Sequence, residues 1–313
     1  MIHWGVNALN HGSSLAVFKD GLLLSNQGSS SDELDRKIIT SALHVGAPDR
    51  IFWYERPWIK KARQLYAGQW RRALDMTVLP RKYLKAQHYA PITYTPHHGS
   101  HAAAGYYTSP FNHCAIVVLD AIGEFECATI WEGKHGELRK VWSRSYPNSL
   151  GLFYSAFTDL LGMTPIQDEW KLQAMAEKGN PKVFYYRVKK YFTGLLKLNY
   201  NFHKGVNDQQ FYIQTLQDEQ DLAAAVQLVF EEQIEMIMLK AKELTGSDCL
   251  VYMGGCAMNS ATNRKIVEPM WSYRWSLPTP GDPSSSIGAV LYHTKQRLQN
   301  YNFGVAKHLA ISV

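Results

Sequence analysis

The 313-residue chain is 46% hydrophobic and 19% charged, which provides the core of two ordinary lobes and excludes a miniprotein or a disordered tail. Lys and Arg number 33 against 27 Asp and Glu, a net charge of +6 that hints at an anionic partner and says nothing of fold. Cys114, Cys127, Cys249 and Cys256 have no metal-knuckle spacing, which argues for reducing cytoplasm over a disulfide framework or structural zinc; with no apolar run of about 18 residues and an opening Met-Ile-His-Trp-Gly, neither a membrane span nor a signal peptide is expected.

The opening reads as short strands: Trp4, Val6 and Ala8, a polar turn over Asn10 to Ser14, a run from Leu15 to Phe18, then Asp20-Gly21 as a hairpin signal before Leu22 to Leu24. A serine-rich loop from Ser29 to Asp35 leads into a helix ending near Gly46, and Ile51 to Tyr54 has the character of a buried strand. Positions 55–90 are helical in composition, with Pro80 as a break. Ala115 to Leu119, Cys127 to Trp131 and a turn at Gly133 repeat the strand, turn, strand plan of the opening. That repetition predicts a first lobe over 1–111 and a second over 112–313. Helices are predicted over Leu150 to Leu161 and from Asp221 to Leu244, where Thr245-Gly246 ends the latter. Leu250 to Met253 reads as a strand, and Ile287 to Gln296 as a closing helix that could pack back on the first lobe. Alternating strands and helices make the fold class α/β.

His97-His98-Gly99-Ser100-His101 is the sharpest local signal. On a helix, His97 and His101 share a side and can share one metal ion, whereas His98 points elsewhere. Clustered histidines are more often surface or capping residues, so the pair needs support. Asp120, at the end of a buried strand, sits where ligands bind in α/β folds, or is a simple turn-forming Asp. Asp282 lies in a small-residue loop ahead of a helix, as a ligand or an N-cap. Two imidazoles and two carboxylates suit a divalent metal with open positions, Fe2+ or Mn2+ more readily than closed zinc. Gly254-Gly255 follows a strand and lets backbone approach a phosphate, or simply packs helices. Lys171, in Gln167-Asp-Glu169-Trp-Lys171, is a catalytic candidate beside carboxylates or part of a solvated turn.

In order and spacing these pieces resemble the NodU/CmcH-type O-carbamoyltransferases, whose catalytic lobe is similar to tRNA threonylcarbamoyl transferases and to the actin-like, RNase-H-like ATPase fold. The likeness runs through Gly5-Val-Asn7 with His11 and Ser13-Ser14, Tyr54-Glu-Arg56-Pro57-Trp58, His97-His98-x-x-His101 and Asp120-x-x-Gly123-Glu124. It continues through Ser149-Leu-Gly151, Glu169-Trp-Lys171, Gly254-Gly255-x-Ala257-x-Asn259, and Gly281-Asp282 followed by Gly288-Ala289. The resemblance implies two lobes with the site in the cleft between them. It implies a metal, usually iron, on His97, His101, Asp120 and Asp282, and a nucleotide lined by Gly123, Glu124, Gly254, Gly255 and Asn259. It further implies transfer of a carbamoyl group from carbamoyl-adenylate, formed from carbamoyl phosphate and ATP, to an acceptor hydroxyl. His11, in the first turn, is a candidate to take the hydroxyl proton or to contact substrate. The sequence departs from the family at Asn26-Gln27-Gly28-Ser29-Ser30, where a Glu-Glu-Arg-Phe-like segment is usual, and at Asp120-Ala121, where Asp-Gly is usual. A YrdC-like domain that makes the adenylate is also expected of full members. Without it the chain receives adenylate from a partner in trans, belongs to a split enzyme, or is a non-catalytic scaffold.

Between Glu55 and Lys85 stand nine basic residues (Arg56, Lys60, Lys61, Arg63, Arg71, Arg72, Arg81, Lys82, Lys85) against Glu55 and Asp75, a local balance of +7. Trp58, Tyr66, Trp70 and Tyr83 are interleaved with them. The mixture suits phosphate contact with base stacking, with Arg63, Arg71, Arg72, Arg81 and Lys82 as candidates, or else is a helix with solubilising arginines. The acceptor on the first reading is a hydroxymethylated base in DNA; a small hydroxylated metabolite or sugar is the alternative.

Overall fold

The alternation of Trp4, Val6 and Ala8 is one face of a strand. In the computed structural model, which describes residues 1–84, 90–206 and 208–298, it lies in β1 (Ile2–Asn10). β2 (Gly12–Lys19) and β3 (Leu22–Ser29) follow antiparallel, and Asp20 and Gly21 both take positive φ, as a tight hairpin turn of the favoured twist requires. The turn expected over Asn10 to Ser14 shrinks to His11. Ser13 and Ser14 are instead buried in β2, their hydroxyls satisfied by the carbonyls of Glu33 and Pro283.

Helix α1 (Arg36–Val45), capped by Asp35, ends at Gly46 as its sequence predicts. β4 (Arg50–Trp53) pairs parallel with β1, and β5 (Ile92–Tyr94) pairs parallel with β4. Between them run α2 (Pro57–Tyr66), α3 (Trp70–Leu74) and α4 (Pro80–Tyr83). Pro80 opens α4 rather than breaking a helix, because a first-turn position has no helical partner for an N–H anyway. Lys85 lies outside the described residues.

After α5 (His97–Thr108), the antiparallel strands β6 (His113–Gly123), β7 (Glu126–Lys134) and β8 (Glu137–Ser145) begin a second sheet. The turn after β7 falls at His135-Gly136, not at Gly133, which stays in the strand against the Tyr106 ring. The chain then forms α6 (Leu150–Leu160), α7 (Glu169–Ala176), α8 (Tyr185–Lys189), the small hairpin β9 (Phe192–Gly194) and β10 (Lys197–Leu198), and α9 (Leu216–Thr245). α9 starts ahead of Asp221 because Thr215 and Asp218 form a capping box, and ends at Gly246 in the left-handed conformation. β11 (Cys249–Met253) joins β6 in parallel; α10 (Ser260–Thr262) and α11 (Glu268–Met270) are single turns; β12 (Tyr273–Trp275) joins β11; and α12 (Ser285–Thr294) closes the described fold.

The two sheets have one connectivity, β3-β2-β1-β4-β5 and β8-β7-β6-β11-β12: three antiparallel strands, then two added parallel to the first. One core lies between the sheets, where α5 and α12 bring Ala103, Ile287 and Leu291 against Trp4, Val6, Trp53, Ile116 and Val118. The other lies under α6 and α9 on the far face of the second sheet, around Phe153, Phe157, Val226 and Phe230. α12 packs on β1 and α5 at once. A Cβ on Gly5 would fall 1.8 Å from the Ser286 carbonyl oxygen, and one on Gly288 1.8 Å from that of Ser100. These close approaches bring β1, the start of α5 and the start of α12 together. No described helix is long and apolar enough to cross a membrane.

Candidate metal centre

His97 and His101 occupy the first and fifth positions of α5, so both rings emerge on one face. Asp120 stands where the β6–β7 register breaks after Leu119, and Asp282 begins the short turn Asp282–Ser284 ahead of α12. The four meet. His97 Nε2 is 3.3 Å from Asp120 Oδ2 and 3.3 Å from Asp282 Oδ1, while His101 Nε2 is 3.4 and 3.2 Å from the same atoms. The two Nε2 atoms are 3.2 Å apart, and all four donor atoms lie within 4.8 Å of one another. The second oxygen of each carboxylate is held elsewhere: Asp120 Oδ1 by the Ala121 amide at 2.8 Å, and Asp282 Oδ2 by Asn10 Nδ2 at 2.9 Å. Asn10 lies 272 residues from Asp282 in sequence, and nothing local pointed to it.

The donor set fits a divalent cation. Two imidazole nitrogens face each other and two acceptor oxygens across one small space, and a cation there would receive four lone pairs with further positions open. Burial alone would push both histidines toward neutrality, but Asp282 and Asp120 overcome it, holding His97 well above the ordinary imidazole value and His101 above it too. Burial likewise pushes both carboxyls up, and the histidines overcome it, holding Asp120 well below its usual range and Asp282 below. Protons and metal therefore compete for the same Nε2 atoms. Metal affinity is expected to rise with pH through the neutral range, by about tenfold per unit for each proton displaced, and to level off above the raised histidine values. Metal titrations at graded pH check this; an affinity flat with pH would contradict it.

Gly123 backs the His97 ring directly, since a Cβ there would lie 2.2 Å from His97 Cδ2 and 2.8 Å from His98 Cδ2. His98 turns away, as its place on the helix predicts, with Nδ1 3.0 Å from Thr129 Oγ1. Glu124 is a joint between the lobes: its carboxylate accepts from the Arg56 amide at 2.6 Å and from Arg56 Nε, and its carbonyl accepts from Arg63 Nε at 3.1 Å. Gly254 has φ +91°, with no room for a Cβ beside the Leu119 carbonyl, and Gly255 lies against Asp120 Oδ1. The glycine pair is followed by a 3-10 turn and the single turn α10. Asn259 caps α10 and exchanges hydrogen bonds with Gln227 on α9, so its amide is engaged within the second lobe. His11 is exposed at the β1–β2 turn, next to Asn10. Lys171 pairs with Asp168 at 2.9 Å and lies over the Trp170 ring, with no described contact to the four ligands.

The basic segment divides. Arg71, Arg72, Arg81 and Lys82 are exposed, as are Trp58, Tyr66 and Trp70 at 58%, 70% and 63%. Arg63, expected among the surface cations, is buried, because its guanidinium reaches the Glu124 carbonyl and the Gln69 side chain. Lys61 is also buried, its ammonium capping the end of α3 at the carbonyls of Arg72, Ala73 and Asp75. Tyr83 turns inward onto Trp53. Tyr66 meets Phe125 and Tyr146, and Gln69 meets His203 at 2.9 Å, so the segment touches the second lobe near the centre.

Over residues 51–291 the chain matches the family described as carbamoyltransferase N-terminus. It is 27% identical over 352 residues to an uncharacterized protein of Synechocystis sp., covering 95% of this chain and 57% of that protein. It is 23% identical over 231 residues to the nodulation protein NolNO of Sinorhizobium fredii, covering 68% and 34%. The chain thus spans from 34% to 57% of the length of these relatives. Among solved structures, full-length HypF in its phosphate- and nucleotide-bound form aligns with TM-score 0.56 at 10% identity, over 94% of this chain and 46% of HypF. The activator of 2-hydroxyisocaproyl-CoA dehydratase from Clostridium difficile, with bound ADPNP, aligns with TM-score 0.50 at 11% identity, over 94% and 96%. At such identities the likeness is one of fold, the two-lobed actin-like α/β architecture.

Proposed function

Because the chain belongs to the carbamoyltransferase N-terminus family, we propose that it moves a carbamoyl group from carbamoyl-adenylate to an acceptor hydroxyl. The observation that carries this reading is the convergence of His97, His101, Asp120 and Asp282 between two lobes, within the matched residues. These four side chains would hold Fe2+ or Mn2+. When bound, such an ion supplies a Lewis acid for the carbamoyl carbonyl or an anchor for the phosphate. The backbone at Gly254-Gly255 runs beside Asp120 and is the natural cradle for the adenylate phosphate, while Glu124 fixes the neighbouring turn through Arg56. In the transfer, the acceptor oxygen bonds to the carbamoyl carbon, the bond from that carbon to the phosphate oxygen breaks, and AMP leaves with the electron pair. The hydroxyl proton passes to His11 at the exposed turn. Lys171, tied to Asp168, has no part in this scheme. Carbamoyl phosphate and ATP reach the site as adenylate from a YrdC-like protein acting in trans, in the cytoplasm.

The exposed Trp58, Tyr66 and Trp70 beside Arg71, Arg72, Arg81 and Lys82 favour a nucleic-acid acceptor, a hydroxymethylated base in DNA presented single-stranded or flipped out. Protein supplied with carbamoyl phosphate, ATP, ferrous ion and a YrdC-like partner is expected to carbamoylate hydroxymethylated DNA, read by mass spectrometry of the nucleosides. Modification of free sugars or nucleosides but not DNA would move the acceptor to small metabolites. Nucleotide binding with no product from any acceptor would favour a scaffold. Binding to single-stranded DNA is expected to weaken steeply with salt, and Arg71→Glu with Arg72→Glu to flatten that slope by about two ions. Binding that ignores both salt and the substitutions would remove the DNA reading.

A further inference from the structure

We propose that Asn10 is the positioning residue that aims the Asp282 carboxylate, tying metal binding to the turn that bears His11; the inference rests on the metal reading of the site. Each carboxylate presents one oxygen to the imidazoles and needs a donor on the other to hold that orientation. Asp120 has a local solution: the next residue, Ala121, donates its amide to Oδ1. Asp282 cannot use it, because the next residue is Pro283, which has no N–H. The donor comes instead from the end of β1 at the β1–β2 turn, as Asn10 Nδ2 at 2.9 Å from Oδ2.

The backbone is shaped for this delivery. The β1–β2 register shifts between Asn7 and Asn10, and Leu9, a non-glycine residue, is held at φ +70° with its amide on the Asp32 carbonyl. The shift sends the Asn10 side chain to the carboxylate and leaves His11 exposed at the tip. A second tether, Ser14 Oγ to the Pro283 carbonyl at 2.7 Å, holds the same two segments together without touching the carboxylate. Ser14 therefore separates a general loosening of the turn from loss of the aiming hydrogen bond.

The test is Co2+ titration of the full chain, followed by the visible bands of the bound ion, with circular dichroism of the metal-free form as the folding control. Asn10→Leu, of similar size without a donor, is expected to raise the Kd for Co2+ about 10- to 100-fold and to change the bands, whereas Ser14→Ala shifts the Kd no more than about threefold. Adding Pro283→Ala to Asn10→Leu restores a neighbouring N–H for Asp282 and is expected to recover part of the affinity. Should Asn10→Leu misfold, Asn10→Asp, which exchanges the donor for an acceptor, is expected to show the same loss. An Asn10→Leu protein with the wild-type Kd and bands overturns the inference alone. A wild-type chain that takes up no Co2+ overturns the metal reading and this inference with it.

Discussion

On the proposed reading, His101→Ala is expected to abolish metal uptake and, with it, the proposed carbamoyl transfer. The side chain is wholly buried, and its Nε2 faces His97, Asp120 and Asp282 within 3.4 Å, so no exposed group can swing in to replace it. Loss of a direct ligand exceeds the 10- to 100-fold effect typical of an outer partner, and a rise in metal Kd of more than about 100-fold is expected. The metal-free protein should also lose stability, by up to about 3–5 kcal/mol, because two buried carboxylates keep only one imidazole. Metal content after dialysis, read beside urea unfolding, separates the effects. His98→Ala is the contrast: its ring faces Thr129, and retention of metal is expected. Equal metal content in His101→Ala and wild type would refute the assignment of the centre.

Gly288→Ala is expected to be among the most disruptive single-methyl changes in the chain. The new Cβ would lie 1.8 Å from the Ser100 carbonyl oxygen and 2.9 Å from Ala104 Cβ, contacts that only separation of α12 from α5 can relieve. A clash with backbone has no flexible side chain to absorb it, so the cost should reach or pass the upper part of the ~1–3 kcal/mol range of overpacking. Ser100 sits between the two histidine ligands on α5, and Asp282 leads into α12, so the same displacement should also weaken metal binding. Gly281→Ala, where nothing lies within 4 Å of the added Cβ, is expected to leave the urea midpoint nearly unchanged. Similar midpoints for the two variants would show that the helices have slack that the packing does not reveal.

The His97 and His101 pair was legible because a helix repeats its face at four residues, and Asp20-Gly21 because few dipeptides accept two positive φ angles. The Gly46 stop of α1 was legible for the same kind of local reason, whereas its Asp35 cap was read only as the end of a loop. Other strands were not. β5 and β12 are three residues each, too short for a periodic signal, and are strands only because β4 and β11 offer them a parallel edge. Long-range burial likewise reversed the local reading of Arg63 and Lys61, cations by sequence whose hydrogen-bond partners fold over them.

By itself the sequence determined residue types and their local phase: which face of α5 carries imidazoles, which strands alternate, where helices stop, and that an α/β chain of this family pattern is present. The family resemblance had grouped Asp120 and Asp282 with those imidazoles, and the tertiary structure brings the four within 4.8 Å; only the tertiary structure decided that Asn10 replaces the donor Pro283 lacks and that Glu124 is clasped by Arg56. The physical reason is reach. Hydrogen-bonding periodicity and capping act over a few residues and are written in the sequence there, whereas a ligand set drawn from two lobes is fixed by how sheets and helices pack, which local sequence carries only as glycines small enough to let them close.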